Sequence, residues 1–443
     1  MLKLYNSLTK KQEEIKIDQD DVRIYLCGPT VQSSPHLGHG RSAVVFDFFI
    51  RYLKYLNYSV LFARNITDID DKIIEKSQEK NISYRELGDN VWKEFVLAHE
   101  NLNCLVPDIE PRATAYIPEI IKYIEQLVQN GFGYVTSSGV YYDVSKFEEY
   151  LELSGRSIED VRTGTRVETE DDKKRAEDFA LWKFSKENEP SWDSPWGDGR
   201  PGWHIECSTM ISETLGKTID FHCGGIDLIF PHHENEIAQS KGVDINENFA
   251  NYWLHNGMLN LSGKKMSKSL GNFFTVRDLI DKGFPGEVIR FVFLSTHYRK
   301  PMDWTQEKAN QADTIMRRWY DKCRDIKNAT TPSSEATELL SDDLNTPGVI
   351  ALLHKHFQNK NFVQLKADAN LIGLMTPEFD DWSVNFDLSK FEIAMTEVRS
   401  EAMITRNFDR LDDLKDKLSK AGVEVQMTKD SIKLIPNLKF DLA

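Results

Sequence analysis

The sequence predicts an α/β fold, built on a parallel sheet that an insertion interrupts, with a helical bundle and a small C-terminal α/β unit after it. Three observations carry this expectation. A strand–helix–strand unit opens the chain between Val22 and Ala63, the arrangement from which parallel sheets are built. Sheet-like runs return near Ile219, after a stretch of different character from about Tyr84 to Pro195. Beyond Trp304 helical spacing takes over, until two short β runs at Val423–Gln426 and Ile432–Ile435.

Taken in order, Val22–Cys27 is β-rich and is followed by Gly28, Pro29 and a polar stretch to Pro35. Val45, Phe49, Tyr52, Leu53 and Leu56 recur at helical spacing, and Asn57 closes that helix. Ser59–Ala63 returns to strand, and Thr67 with Asp70 three residues on predicts the cap of the next helix. Within the insertion, Tyr116–Val128 predicts a helix and Val135–Val144 a short hairpin, while the mixed charges of Glu168–Glu177 predict a solvated face. Ile219–His222 and Ile226–Phe230 read as strands before a helix starting near Pro231. Gln306–Lys327 and Pro347–Gln358 read as helices, separated by a turn-rich break at Asn328–Ser334, and Phe408–Leu418 is amphipathic.

Composition bounds the function. The chain has 443 residues, 40% hydrophobic and 28% charged, with a formal charge of −15. That length suggests about three domains of an ordinary globular protein. No apolar run reaches a membrane span, Met1–Asn6 lacks the core of a signal peptide, and five cysteines with no close pair point to reduced thiols. The expectation is a cytoplasmic protein without a membrane partner. An acidic chain gains no overall attraction for nucleic acid, so such a partner would dock on local basic positions.

Two segments carry phosphate chemistry. Pro35-His36-Leu37-Gly38-His39-Gly40 lies between the first strand and its helix, and sets two histidines on one face beside free backbone N–H groups. Gly38 and Gly40 would let a ligand approach the backbone. Lys264-Lys265-Met266-Ser267-Lys268-Ser269-Leu270-Gly271-Asn272 is a cationic loop able to close over a polyphosphate. Each alone is commonly an ordinary surface turn. Gly216-Lys217-Thr218 lacks the earlier glycine of a P-loop, so the nucleotide is held differently.

A third set could bind metal. Cys27 ends the first strand, Cys207 closes Pro201-Gly202-Trp203-His204-Ile205-Glu206-Cys207, and His232 and Glu236 share one face of a helix at i, i+4. Two thiolates, an imidazole and a carboxylate suit zinc. The cysteines are nevertheless far apart in sequence, and lone cysteines more often behave as buried hydrophobes.

The His-x-Gly-His turn followed far downstream by Lys-Met-Ser-Lys-Ser resembles the two signatures of class I aminoacyl-tRNA synthetases. Cys27-Gly28-Pro29-Thr30-Val31, Arg64–Lys72, Asp178–Lys183, Pro201–Cys207 and Phe230–Gln239 further resemble the cysteinyl-tRNA synthetases, nearly continuously from about Leu4 to Arg299. The resemblance implies a Rossmann-like catalytic domain at 1–305, with the insertion at about 84–195 and a stem-contact region at about 245–305. A helical tRNA-binding bundle at 306–385 and an anticodon-binding domain at 386–443 would follow. It implies a monomeric ATP-dependent ligase joining L-cysteine to tRNA(Cys), with one Zn2+ per chain and Mg2+ arriving on ATP.

Position by position, the zinc ligands would be Cys27, Cys207, His232 and Glu236, with Cys104, Cys223 and Cys323 bystanders. His36, His39, Lys265 and Lys268 would carry catalysis. Gly38, Thr67, Trp203, Asp227 and Lys268 would contact amino acid or ATP, and Arg317, Arg318 and Arg324 the tRNA. The zinc would select a thiol that a shaped pocket separates poorly from serine. Gln32-Ser33-Ser34 departs from the family pattern, and Asp430–Pro436 replaces a common family ending. Two rivals remain at this level: a ligase passing cysteine to an amino sugar, and a non-catalytic zinc module binding nucleic acid. The roughly 140 residues beyond Arg299 favour tRNA over the first, and the intact phosphate segments disfavour the second.

Overall fold

The computed structural model describes residues 1–17, 21–164, 172–261, 264–265, 274–326, 331–379, 382, 388–428 and 431–436. At residues 163–164, 264–265 and 435–436 the description is of backbone alone.

Four parallel strands form the central sheet among the described residues: β1 (Asp21–Leu26), β2 (Ser59–Arg64), β3 (Ile219–Gly225) and β4 (Ala250–Asn256). Their spatial order is β4-β3-β1-β2, with Ile24 beside both Phe62 and Phe221. Helix α1 (Leu37–Tyr55) links β1 to β2. After the insertion, α2 (Trp203–Thr214) precedes β3, and α3 (Glu234–Val243) links β3 to β4. Successive strand side chains point to opposite faces. Val22, Ile24 and Leu26 therefore pack with Phe48, Phe49 and Tyr52 of α1, while Tyr25 joins Cys207, Ile211 and Trp253 on the other face. Both faces are covered, as parallel sheets require.

Several expectations need correction. Asp70, not Thr67, caps the helix Asp71–Lys80: its side chain accepts the Lys72 N–H at 2.9 Å. Thr67 is held upstream in a parallel bridge with Thr30. The hairpin strands are Gly133–Val135 and Gly139–Tyr142, closed by the polar turn Thr136–Ser138, and Val144 falls in a 3-10 turn. They belong to an antiparallel sheet with Phe179–Phe184 and Gly199–Pro201, which runs on past residue 195 directly into α2. Ile226–Phe230 is not a strand. β3 ends at Gly225, and the chain turns through Ile226–Leu228 and Ile229–His233 into α3, with Phe230–Pro231 cis. Residues 168–171 of the charge run lie outside the described residues. Beyond them Lys174, Arg175 and Ala176 are exposed as expected, and only Glu177 is buried, paired with Arg162 at 2.7 Å. Strand β4 was not legible, since Ala250–Asn256 mixes aromatic and polar residues without clean alternation.

The helices Gln306–Cys323, Ser334–Ser341, Thr346–Gln358 and Phe362–Leu371 share one continuous apolar core with α1: Leu340, Val349, Leu353 and Leu365 join Phe48 and Phe49. Arg317 is buried, bound to both Asp313 oxygens at 3.0 Å beneath Trp382, so it does not face a partner. Arg318 is tied to Glu424, and Arg324 stands exposed at the end of its helix. Ser389–Thr405, Asp409–Lys420 and the hairpin Val423–Met427/Ile432–Pro436 close a separate small core around Val398, Leu411 and Leu434. Among the described residues no helix is long and apolar enough to cross a membrane.

One buried ion pair ties α1 to distant segments of the chain. Arg290 donates to Asp47 and to the Leu102 and Ile372 carbonyls, and Asp47 also accepts the Leu105 N–H at 2.7 Å. Removing one partner of such a pair leaves a buried charge uncompensated. Asp47→Ala is expected to lower stability by about 3–5 kcal/mol, read as a urea midpoint. A loss below about 1 kcal/mol, the level of an exposed pair, would refute that account.

Candidate active site

The connections from the adjacent strands β1 and β3 run in opposite directions, from β1 toward β2 and from β3 toward β4. Such a switch point is where open α/β sheets bind ligands. A cleft of about 480 Å³ lies there, bordered by Cys27, His36, Gly38, His39, Trp203 and Asp227.

The histidine turn begins α1. His36 is its N-cap: Nδ1 of His36 accepts the His39 N–H, and Nδ1 of His39 accepts the His36 N–H, each at 3.3 Å. The rings stack 3.6 Å apart. An imidazole that accepts through Nδ1 carries its proton on Nε2, so each ring bears an Nε2–H. Burial, with His36 and His99 alongside, holds the His39 pKa well below its ordinary value, and the ring stays neutral. Together with the Gly38 N–H in the first turn of α1, this makes an anion site. A Cβ at Gly38 would lie 2.9 Å from the His36 ring. Gly40 instead meets Val276, Leu102 and Phe293, so it serves packing rather than ligand approach.

Lys268 lies outside the described residues, and of Lys265 only the backbone is described, in a strand paired with Asn260–Leu261. The chain on the far side of that loop is hydrogen-bonded to the start of the histidine turn: Leu37 N donates to Phe274 O at 3.1 Å, and Val276 N to Pro35 O at 3.3 Å. Tertiary pairing thus brings the flank of the basic loop to the histidines.

Beneath the cleft, which Cys27 alone of them lines, donor atoms of Cys27, Cys207, His232 and Glu236 all lie within 4.8 Å of one another. The sulfurs are 4.0 Å apart, and Glu236 Oε1 is 3.6 Å from Cys27 Sγ and 3.0 Å from His232 Nε2. Burial pushes the Cys27 thiol well above its usual range, with Cys207 and Glu236 adding to it, and lifts Glu236 to about 7. The four donors crowd together with no countercharge of their own, an arrangement that a dication satisfies. His232 and Glu236 come from the turn and first residues of α3, Cys207 from α2, Cys27 from the end of β1.

Four histidines around this cluster were not singled out by sequence reasoning. His204 Nδ1 lies 3.0 Å from His232 Nδ1, leaving Nε2 of His232 for the cluster. His222 Nε2 holds Glu236 Oε2 at 2.8 Å and so turns Oε1 inward. His233 reaches Cys27 Sγ at 3.2 Å and is held from behind by His255 at 2.8 Å. Cys27, His222, His233 and Glu236 form a second, overlapping donor set. It offers one sulfur rather than two, and its histidines are already engaged in orienting Cys27 and Glu236. Outer partners that orient ligands are a general feature of metal sites. A weak signal existed: Asp220 and His222 alternate as polar residues within an otherwise apolar buried strand.

Trp203 is exposed, its ring 4.4 Å from the His232 ring at a tilt of 31°, and stands between this cleft and a second of about 320 Å³. Asp227 projects from the turn after β3 on the cleft wall. Ser42 of α1 also borders the cleft. Thr67, expected at the substrate, is buried behind the cleft and lines neither opening; its hydroxyl accepts from Asn65 at 3.2 Å. Asn65 also accepts the Gly28 N–H, and a Cβ at Gly28 would lie 1.7 Å from the Asn65 carbonyl, so only glycine fits beside Cys27. Cys104, Cys223 and Cys323 belong to neither donor set.

Residues 13–314 match the family of class I (C) tRNA synthetase catalytic domains. A cysteine–tRNA ligase of Ruegeria sp. (strain TM1040) is 47% identical, the alignment covering 100% of this chain and 98% of that protein. One of Pelagibacter ubique is 41% identical over 96% of each chain. A solved Mycobacterium tuberculosis methionyl-tRNA synthetase in complex with methionyl-adenylate shares the fold, with a TM-score of 0.55 at 15% identity over 80% of this chain and 82% of that one. By its fold and by full-length similarity to these ligases, the chain belongs to the cysteine–tRNA ligase family of class I aminoacyl-tRNA synthetases.

Proposed function

We propose that the chain activates L-cysteine with ATP and transfers it to tRNA(Cys), using a zinc ion to select the substrate thiol. The observation that carries this reading is the convergence of Cys27, Cys207, His232 and Glu236 within 4.8 Å, beneath the cleft that Cys27 lines and the His36/His39 turn borders.

In the first step a cysteine carboxylate oxygen forms a bond to the α-phosphorus of ATP, and the bond from that phosphorus to the bridging oxygen breaks. Cysteinyl-adenylate and pyrophosphate result. His36 and His39 donate Nε2–H to the α-phosphate oxygens, and the neutral His39 ring does so without taking up a proton. Lys265 and Lys268 neutralise the departing pyrophosphate, whose Mg2+ arrives with ATP. Cys27, Cys207, His232 and Glu236 would hold zinc, which when bound prefers a soft thiolate to a hydroxyl. Trp203 packs over the amino acid and Asp227 takes the adenosine ribose. In the second step the terminal ribose hydroxyl of tRNA attacks the adenylate carbonyl and AMP departs. The second cleft, which shares Trp203 and Lys72 with the first, suits the approach of that tRNA end.

The test is cysteine-dependent exchange of pyrophosphate into ATP, followed by charging of purified tRNA(Cys). Exchange without charging of any tRNA would favour a different acceptor; no exchange would refute the reading. A truncation separates the two steps. Residues 306–375 belong to the main core, so a cut there would expose it, whereas the unit beyond Leu388 has its own core. Deleting 386–443 is expected to keep exchange within about threefold and to cut charging efficiency at least about a hundredfold, the scale on which lost binding energy is felt. Charging at full efficiency would show that the deleted unit does not grip tRNA.

A further inference from the structure

Arg41 follows the histidine turn on α1 and is fully buried, yet no carboxylate pairs with it among the described residues. Its partners are five backbone carbonyls. Nη1 donates to Gly257 O and Met258 O, both at 2.8 Å; Nη2 donates to Lys300 O at 2.7 Å and to His297 O and Tyr298 O at 3.3 Å. Gly257 and Met258 border the nucleotide side of the cleft. They also form a tight seam with the facing segment: Gly257 N donates to Tyr298 O at 2.7 Å, Met302 N to Met258 O at 2.9 Å, and a Cβ on Gly257 would lie 2.5 Å from Lys300 O. From Met258 the chain runs straight into Leu259–Leu261 and its pairing with Lys264–Lys265, the root of the basic loop.

We propose that Arg41 is a positioning residue for ATP activation, clamping the root of the basic loop to the helix turn that carries His36 and His39. This rests on the function proposed above and deepens its nucleotide site. The chemistry singles out arginine. Burying a cation without an anionic partner is unfavourable, so a side chain serving only to fill space would be apolar. A guanidinium alone presents donors in a rigid fork wide enough to hold two chain segments at once. Lysine keeps the charge but offers its donors from one atom. The helix that positions the histidines therefore also sets where the lysines of the loop can reach.

The experiment uses Arg41→Lys and Arg41→Met in the full chain, measuring KM for ATP and for cysteine and kcat in pyrophosphate exchange, with zinc content and thermal midpoint alongside. Arg41→Lys is expected to keep zinc content and to hold the cysteine KM within about twofold. Its kcat/KM for ATP should fall by about ten- to a hundredfold, the scale of a misplacement of about 1 Å. Arg41→Met should be at least as impaired; if it fails to fold, the lysine variant decides. A lysine variant with wild-type ATP parameters, or one losing ATP and cysteine affinity equally in step with a lower thermal midpoint, would overturn the proposal. Absence of exchange in the wild-type protein would instead refute the function on which it rests.

Discussion

Cys207→Ser is expected to reduce apparent cysteine affinity by at least about a hundredfold while the ATP KM changes less than about threefold, a loss of more than about 2.7 kcal/mol confined to one substrate. The separation follows from geometry. Cys207 and Cys27 form the sulfur side of the donor cluster, whereas the phosphate-binding turn begins α1. The wild-type protein should carry about one zinc per chain, and X-ray absorption should find two sulfurs at ~2.3 Å. Saturating cysteine should add a third sulfur, and serine should add none. A shell that stays at two sulfurs with cysteine bound would make the ion structural only, and discrimination against serine would need another cause. Equal losses for cysteine and ATP in Cys207→Ser would mean that the site collapses as a unit.

Lys268→Ala should slow adenylate formation by about 10²–10³-fold, as when one charge-stabilising group is removed from a transition state. Binding of cysteine should barely change. Lys268 itself lies outside the described residues. Its flanks are described: Phe274 and Val276 are bonded to Leu37 and Pro35 beside the histidines, and Asn260–Leu261 pairs with Lys264–Lys265 on the other side. Single-turnover measurement of adenylate formation is the direct check. A rate within about threefold of wild type would remove Lys268 from the catalytic set.

Local elements were legible where one physical signal dominated. Strand β1, helix α1, strand β2 and the C-terminal hairpin all lie where spacing and turn residues put them, because β-rich runs bounded by turn residues mark short strands and apolar residues at helical spacing mark the helix. Failures came where burial is set by distant partners. Ile226–Phe230 has strand composition but turns, since β3 already ends at Gly225 and the next residues must enter α3. Arg317 looks like a free cation in sequence, yet Asp313 one turn earlier and Trp382 far downstream enclose it.

The site divides in the same way. From sequence alone came the phosphate turn, the basic loop and the candidate donors Cys27, Cys207, His232 and Glu236, because these residue types carry their chemistry wherever they stand. Only the tertiary structure decided that the four donors meet, that His204, His222 and His233 orient them, and that Thr67 sits behind the cleft rather than in it. The role of Arg41 also emerges only there, since its carbonyl partners lie more than two hundred residues away. The physical reason is that period and propensity act within a few residues. A hydrogen bond or a donor cluster depends on distances across the fold, and these are set by how the sheet orders its strands at the switch point.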